Sequence, residues 1–152
     1  YTYERLGMNG RMDSIQAAIL LEKLKIFSSE LKLRNKVAAQ YIKVFSELNT
    51  EISLPKLISD STSNWAQFTI VLPKRVNREL LREKLSMKQV PTAIYYPIPL
   101  HKQKPYKNFP ICCDGLKNTE FLCKNVISLP MHPYLTLEQI TYICKNIHQL
   151  LN

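Results

Sequence analysis

The chain has 152 residues, 45% of them apolar, and its 21 Lys and Arg outnumber 12 Asp and Glu to give a formal charge of +9. That length suits one ordinary domain with a modest core, and the apolar fraction is that of a folded chain rather than a disordered one. No apolar run approaches the roughly 20 residues of a membrane-spanning helix, and the basic residues alternate with acids (Glu22, Lys23, Lys25; Glu30, Lys32, Arg34; Glu79, Arg82, Glu83, Lys84) as on solvated, ion-paired helix faces, without the basic stripe of a nucleic-acid binder.

In chain order, "GMNGRMDSIQAAI" at residues 7–19 begins as a loop and ends as a helix. Asp13 followed by Gln16 has the form of a capping box, so a helix starts there. Apolar residues then recur at Ile15, Ile19, Leu20, Leu24, Phe27, Leu31, Val37, Tyr41, Phe45 and Leu48, with no Gly or Pro until Pro55. A helix over 13–50 would be on the order of 50 Å long at ~1.5 Å per residue. That exceeds the needs of a small domain, and the expectation is a helix bridging two bodies, only one of which is in this sequence.

After the polar connector "ISDSTSN", Trp65 stands at a strand entry, where the single Trp is expected in the core or an interface. Alternation over Ala66–Leu72 predicts a half-buried strand that Pro73 ends. Asn77 caps a predicted helix through Lys88, with Val76 and Leu81 placed as a hydrophobic staple. A second strand is expected at Val90–Tyr96, before the Pro-rich "YYPIPLHKQKPY". A helix over Lys117–Asn125, a short strand Val126–Leu129 and a last helix capped by Thr136 with Gln139 follow. This order predicts an α/β (α+β) small domain, a few short strands covered by helices.

Two segments could carry chemistry. Asn9, Gly10 and Arg11 precede a helix N-terminus, where free N–H groups and the dipole favour an anion; the same residues also suit a plain helix entry. The segment "TAIYYPIPLHKQKPY" gathers Tyr95, Tyr96, His101, Gln103 and Tyr106, stiffened by Pro97, Pro99 and Pro105. Phenols, an imidazole and an amide suit a polyhydroxylated ligand, although half-buried tyrosines on a surface loop give the same pattern. No Ser, Cys or Asp is placed by sequence to make a triad with His101, and no Gly-rich phosphate loop is present. Cys112, Cys113, Cys123 and Cys144, with His101, His132 and His148, show no metal-ligand spacing and read as buried reduced thiols of a cytoplasmic protein, with no metal.

Taken together, "GMNGRMDSIQAAIL" (7–20), Arg34 with "AAQYIKVFSEL", "SNWAQFTIVLP" (63–73), "PTAIYYPIPLHKQKPY" (91–106) and "VISLPMHPYLTLEQI" (126–140) resemble the DegT/DnrJ/StrS sugar-nucleotide aminotransferases, which use pyridoxal 5′-phosphate on the fold type I scaffold. The motifs run in family order along essentially the whole chain. The resemblance implies the C-terminal part of such an enzyme: residues 1–12 continuing from a missing cofactor-binding large domain, 13–50 the interdomain helix, and 51–152 the small α/β domain. No lysine lies in a motif matching the Schiff-base Lys, so no catalytic residue is expected in this chain and it is expected to be inactive alone.

For the residues that are present, the resemblance implies that Asn9 reaches the cofactor phosphate of a neighbouring subunit in a homodimer with a shared active site. It places Arg11 near the sugar-nucleotide substrate, and Tyr95, Tyr96 and His101 along its pocket. The parent reaction moves an amino group from an amino acid such as glutamate to a nucleotide-linked keto-sugar, for surface polysaccharide or lipopolysaccharide synthesis. Trp65 and "IYYPIPLHKQ" look most like members acting on UDP-linked 3-keto sugars. The chain departs from the family at Gln89, where Gly is common, and at "GLKNTE", which lacks the usual Pro before Glu120. If that Gly serves a turn of positive φ, Gln89 strains it by roughly 1 kcal/mol. Two other readings compete: a non-catalytic regulatory or interaction protein, and a basic nucleic-acid-binding domain.

Overall fold

A computed structural model describes residues 10–106, 108–112 and 115–151. Helix α1 runs Ser14–Glu47, followed by β1 (Phe68–Val71), α2 (Arg78–Met87), α3 (Lys117–Asn125), β2 (Val126–Leu129) and α4 (Leu137–Leu151). Two short 3-10 turns, Leu100–Lys102 and Lys104–Tyr106, lie between α2 and α3. Among the described residues no helix is long and apolar enough to cross a membrane.

The predicted caps form. The Asp13 carboxylate accepts from the Gln16 N–H at 2.8 Å, and Asn77 accepts from Leu80 at 3.1 Å. Thr136 and Gln139 make the reciprocal box, Gln139 N–H to Thr136 Oγ1 at 3.2 Å and Thr136 N–H to Gln139 Oε1 at 3.0 Å.

At ~1.5 Å per residue, α1 is about 51 Å long. Its C-terminal third buries Val37, Ala38, Tyr41, Val44 and Phe45, a stripe at helical spacing that packs against α4. Its first half exposes Ile15, Ile19, Leu20, Leu21, Leu24, Ile26 and Phe27. The continuous apolar periodicity of the sequence therefore covers two different surfaces. The core proper joins Tyr41 and Phe45 to Phe68 and Ile70 of β1, Ile127 of β2, Leu81 and Leu85 of α2, and Ile140, Cys144 and Ile147 of α4. Burial lifts the Cys144 thiol to about 12, so it stays protonated.

β1 and β2 pair antiparallel, with Phe68 opposite Leu129 and Val71 opposite Val126. The buried hydroxyl of Ser128 is matched across the ladder by Thr69, Oγ to Oγ1 at 2.7 Å. The sheet widens by single bridges only, Ser53 to Val71 on one edge and Ala93 to Ser128 on the other.

The strand expected at Val90–Tyr96 is thus reduced to the bridge at Ala93. The reason lies at the end of α2. Val90 N–H bonds Leu85 O at 2.9 Å and Gln89 N–H bonds Ser86 O at 2.9 Å, a Schellman closure with Gln89 at φ 58°. Pro91 then has no N–H to give a ladder. The strand expected at Ala66–Leu72 shortens to Phe68–Val71, since Leu72 N–H turns to Asn125 O and Trp65 takes φ 46°.

Two further expectations are corrected. Arg34 is no solvated ion-pair residue: its Nη1 donates to Trp65 O at 3.0 Å and Met131 O at 3.4 Å, while the neighbouring Asn35 Oδ1 accepts from the Trp65 indole at 3.1 Å. These bonds tie α1 to the segments before β1 and after β2, and Trp65 is buried as expected. Of the described cysteines only Cys144 is buried; Cys123 is half-buried and Cys112 exposed.

The Schellman closure makes the Gln89 departure measurable. Gln89→Gly relieves a left-handed side-chain conformation costing roughly 1 kcal/mol, partly offset by glycine's extra freedom when unfolded. Urea denaturation should show the variant more stable by up to about 0.5 kcal/mol, the net of those two effects; a destabilised variant would refute the strain.

Candidate functional site

Of the first candidate segment, Gly10 and Arg11 lie just ahead of α1. Asn9 lies outside the described residues. Gly10 has open space around it and Arg11 is exposed. The Gln16 N–H, one of the donors an anion would use, is already taken by the Asp13 carboxylate. A negative charge therefore occupies part of this helix N-terminus. About 24 Å of helix separates Ser14 from Glu30, whose Oε1 accepts from Tyr134 OH at 2.7 Å.

The second segment follows the bridge at Ala93. Tyr95 and Tyr96 are joined by a cis peptide, and their rings meet edge to face with centroids 5.9 Å apart. Both are substantially exposed. They line a cavity of about 580 Å³ whose other wall is α3, through Thr119, Leu122 and Cys123; Ile98, Pro99, Leu100 and Gln103 complete it. Mostly apolar walls with a few phenol, amide and hydroxyl groups fit a ligand with both hydroxyls and nonpolar faces. Tyr95 also borders a smaller hollow of about 280 Å³ against Gln67, Ala93 and Ser128. A third cavity, about 410 Å³ between Val90, His132, Leu135 and Tyr142, contains none of the residues expected from sequence to meet a ligand, although Gln89 borders it.

His101 lies on the first 3-10 turn with its side chain 12% exposed. It borders a different hollow from the tyrosines, shared with Lys102, Ile111, Gly115, Leu116 and Glu120. Its Nε2 is 3.2 Å from Glu120 Oε1, and Lys102 Nζ is 2.8 Å from Glu120 Oε2. Glu120 is thus a partner that sequence reasoning missed, because nineteen residues and a change of element separate it from His101. Tyr106 instead packs on Phe109, with centroids 5.8 Å apart. The structure brings Tyr95, Tyr96 and Gln103 together, sets His101 beside them on the same segment, and leaves Arg11 just ahead of α1. Among the described residues no cluster of His, Cys, Asp or Glu could hold a metal.

Comparison with known proteins gives one pattern. The profile of the DegT/DnrJ/EryC1/StrS aminotransferase family matches residues 1–148. A UDP-2-acetamido-2-deoxy-3-oxo-D-glucuronate aminotransferase of Pseudomonas aeruginosa is 41% identical over 147 residues, 95% of this chain and 38% of that protein. A pleiotropic regulatory protein of Geobacillus stearothermophilus is 33% identical over 148 residues, 97% of this chain and 39% of its own length. The crystal structure of a DegT DnrJ EryC1 StrS aminotransferase from Brucella abortus superposes with a TM-score of 0.84 at 37% identity, covering 98% of this chain and 38% of that one. The chain therefore spans about two-fifths of the length of the relatives it matches.

The bonds from Lys102, then His101, hold the Glu120 carboxyl below the usual glutamate range. A lowered pKa means that the contact exists above the ordinary carboxylate range and is lost as pH falls through the depressed value. In a carboxyl-labelled NMR titration, Glu120 should protonate below the exposed glutamates; a midpoint at or above theirs would contradict the geometry.

Proposed function

The chain belongs to the DegT/DnrJ/EryC1/StrS aminotransferase family, and from that premise we propose that it is the C-terminal part of a cytoplasmic, pyridoxal-phosphate-dependent sugar-nucleotide aminotransferase. In this reading residues 1–12 continue from the cofactor-binding large domain, 13–50 form the interdomain helix, and 51–152 are the small domain. The observation that carries it is the apolar first half of α1. Seven large aliphatic and aromatic side chains stand exposed there, a surface of the kind that marks an interface, here the one met by the rest of the enzyme and its dimer partner.

The described residues do not fit the cofactor by themselves. Lys74, Glu120 and Phe121 line one open hollow, a lysine beside an acid and an aromatic ring. Lys74 Nζ, however, stands 5.5 Å over the Phe121 centroid, on a face where a pyridine ring would stack, and Glu120 is engaged by Lys102 and His101. The cofactor's seat accordingly belongs to the large domain, and the chain alone does not transaminate. Its contributions are Asn9, toward the cofactor phosphate of the neighbouring subunit, Arg11, toward the substrate's anionic groups, and Tyr95, Tyr96 and His101, along the sugar-nucleotide pocket. The substrate class is a UDP-linked 3-keto sugar, with glutamate as amino donor and surface polysaccharide as the destination. The name of the Geobacillus relative favours a second reading, a regulatory protein without catalysis.

Two measurements separate these. Borohydride reduction of the chain with pyridoxal phosphate should trap no single lysine; a stoichiometric adduct at one lysine would overturn the assignment. Fused to the upstream domain of the Pseudomonas relative, the chain should restore transamination of a UDP-linked 3-keto sugar. In that fusion Tyr96→Phe or His101→Ala should raise KM about tenfold, the effect of one lost hydrogen bond; a folded fusion without activity would favour the regulatory reading.

A further inference from the structure

Glu120 has no role in the reading above, yet its carboxylate joins α3 to two consecutive residues of the Pro-rich segment. Oε1 meets His101 and Oε2 meets Lys102, at 3.2 and 2.8 Å. The same first turns of α3 present Thr119, Leu122 and Cys123 to the cavity that Tyr95, Tyr96 and Gln103 line. How the segment sits on α3 therefore sets the width of that cavity. Pro99 is buried, and both 3-10 turns close on local carbonyls, Lys102 N–H to Pro99 O at 3.0 Å and Tyr106 N–H to Gln103 O at 2.9 Å. The segment is a stiff unit, and Glu120 supplies its charged attachment to α3.

We propose that Glu120 is the positioning residue of the pocket: it holds the 99–106 segment on α3 and fixes His101 with its proton on Nε2, leaving Nδ1 as the ring's acceptor. An ionised carboxylate can only accept, so the proton between the two groups belongs to the imidazole. Ionisation is favoured by the Lys102 ammonium and by the place of Glu120 near the start of α3, where the helix dipole attracts a negative charge. With Nε2 committed, the ring's remaining acceptor is Nδ1, suited to a ligand hydroxyl in the hollow that His101 borders beside the tyrosine-lined cavity. What the ring does with that acceptor rests on the proposed function; the tautomer does not.

The test uses the full chain labelled with ¹⁵N-histidine, in long-range ¹H–¹⁵N correlation spectra at neutral pH. His101 should show a protonated Nε2 and an unprotonated Nδ1. Glu120→Ala should return the ring to the mixed tautomers of free imidazole while leaving His132 and His148 unchanged, and Lys102→Ala should keep the Nε2–H form. A native His101 protonated at Nδ1, or a Glu120→Ala chain that keeps the Nε2–H form, would overturn the proposal. The native measurement alone decides the tautomer if the variant fails to fold. In the fusion enzyme, Glu120→Ala and His101→Ala should each lower kcat/KM about tenfold, with no further loss in the double variant. The predicted tautomer together with unchanged kcat/KM in both variants would sustain the positioning and sink the pocket assignment.

Discussion

The architecture depends on Tyr41. Its side chain is 0% exposed, its ring stacks on Phe68 with centroids 4.7 Å apart, and its hydroxyl donates to Pro130 O at 2.9 Å. One residue of α1 thereby fixes the helix against β1 and against the turn leaving β2. Burial drives its phenol far above the usual range, so it remains a neutral donor throughout the working pH range. An apolar residue here would keep the packing but leave the half-buried Pro130 carbonyl without this partner, a loss of about 1 kcal/mol for one hydrogen bond. The clamp of Arg34 and Asn35 on Trp65 and Met131 extends the same join by two turns of helix.

Arginines close the domain elsewhere in the same manner. Arg75 donates to Leu151 O at the end of α4 and pairs with Glu51, while Arg78 donates to Cys123 O and Val126 O where α3 passes into β2. Each guanidinium meets carbonyls that a helix end leaves without an internal partner. Part of the excess positive charge is therefore structural: it satisfies main-chain oxygens rather than awaiting an anionic partner.

What the sequence made legible was local. Caps at Asp13, Asn77 and Thr136, the bounds of α3 and β2, and the buried Trp65 all follow from side chains acting within a few residues of themselves. The strain at Gln89 was legible too, because a position usually filled by Gly pointed to positive φ. What was not legible depends on partners far along the chain. The alternation at Val90–Tyr96 reads as a strand, but the backbone donor of Val90 is claimed by α2 and only Ala93 reaches the sheet. Arg34 resembles its charged neighbours until the carbonyls of Trp65 and Met131, 31 and 97 residues away, come to it. Composition picked out the segment that holds Tyr95, Tyr96 and His101, but not that His101 borders a separate hollow, and Glu120, which meets His101 from another helix, carried no local signal.

Among the described residues, helix α1 is held at one end: from Glu30 onward it is bonded and packed, and before Glu30 it runs about 24 Å as a stiff rod. Such a rod is a lever arm: each degree of tilt at its anchorage displaces its tip by about 0.4 Å, on the ~1.5 Å rise of an α-helix. Displacements near 1 Å are enough to cost roughly a hundredfold where reacting groups must be aligned. Within this chain the direction of the rod is set by the anchorage at Arg34, Asn35 and Tyr41, so substitutions there would be felt at a tip they never touch.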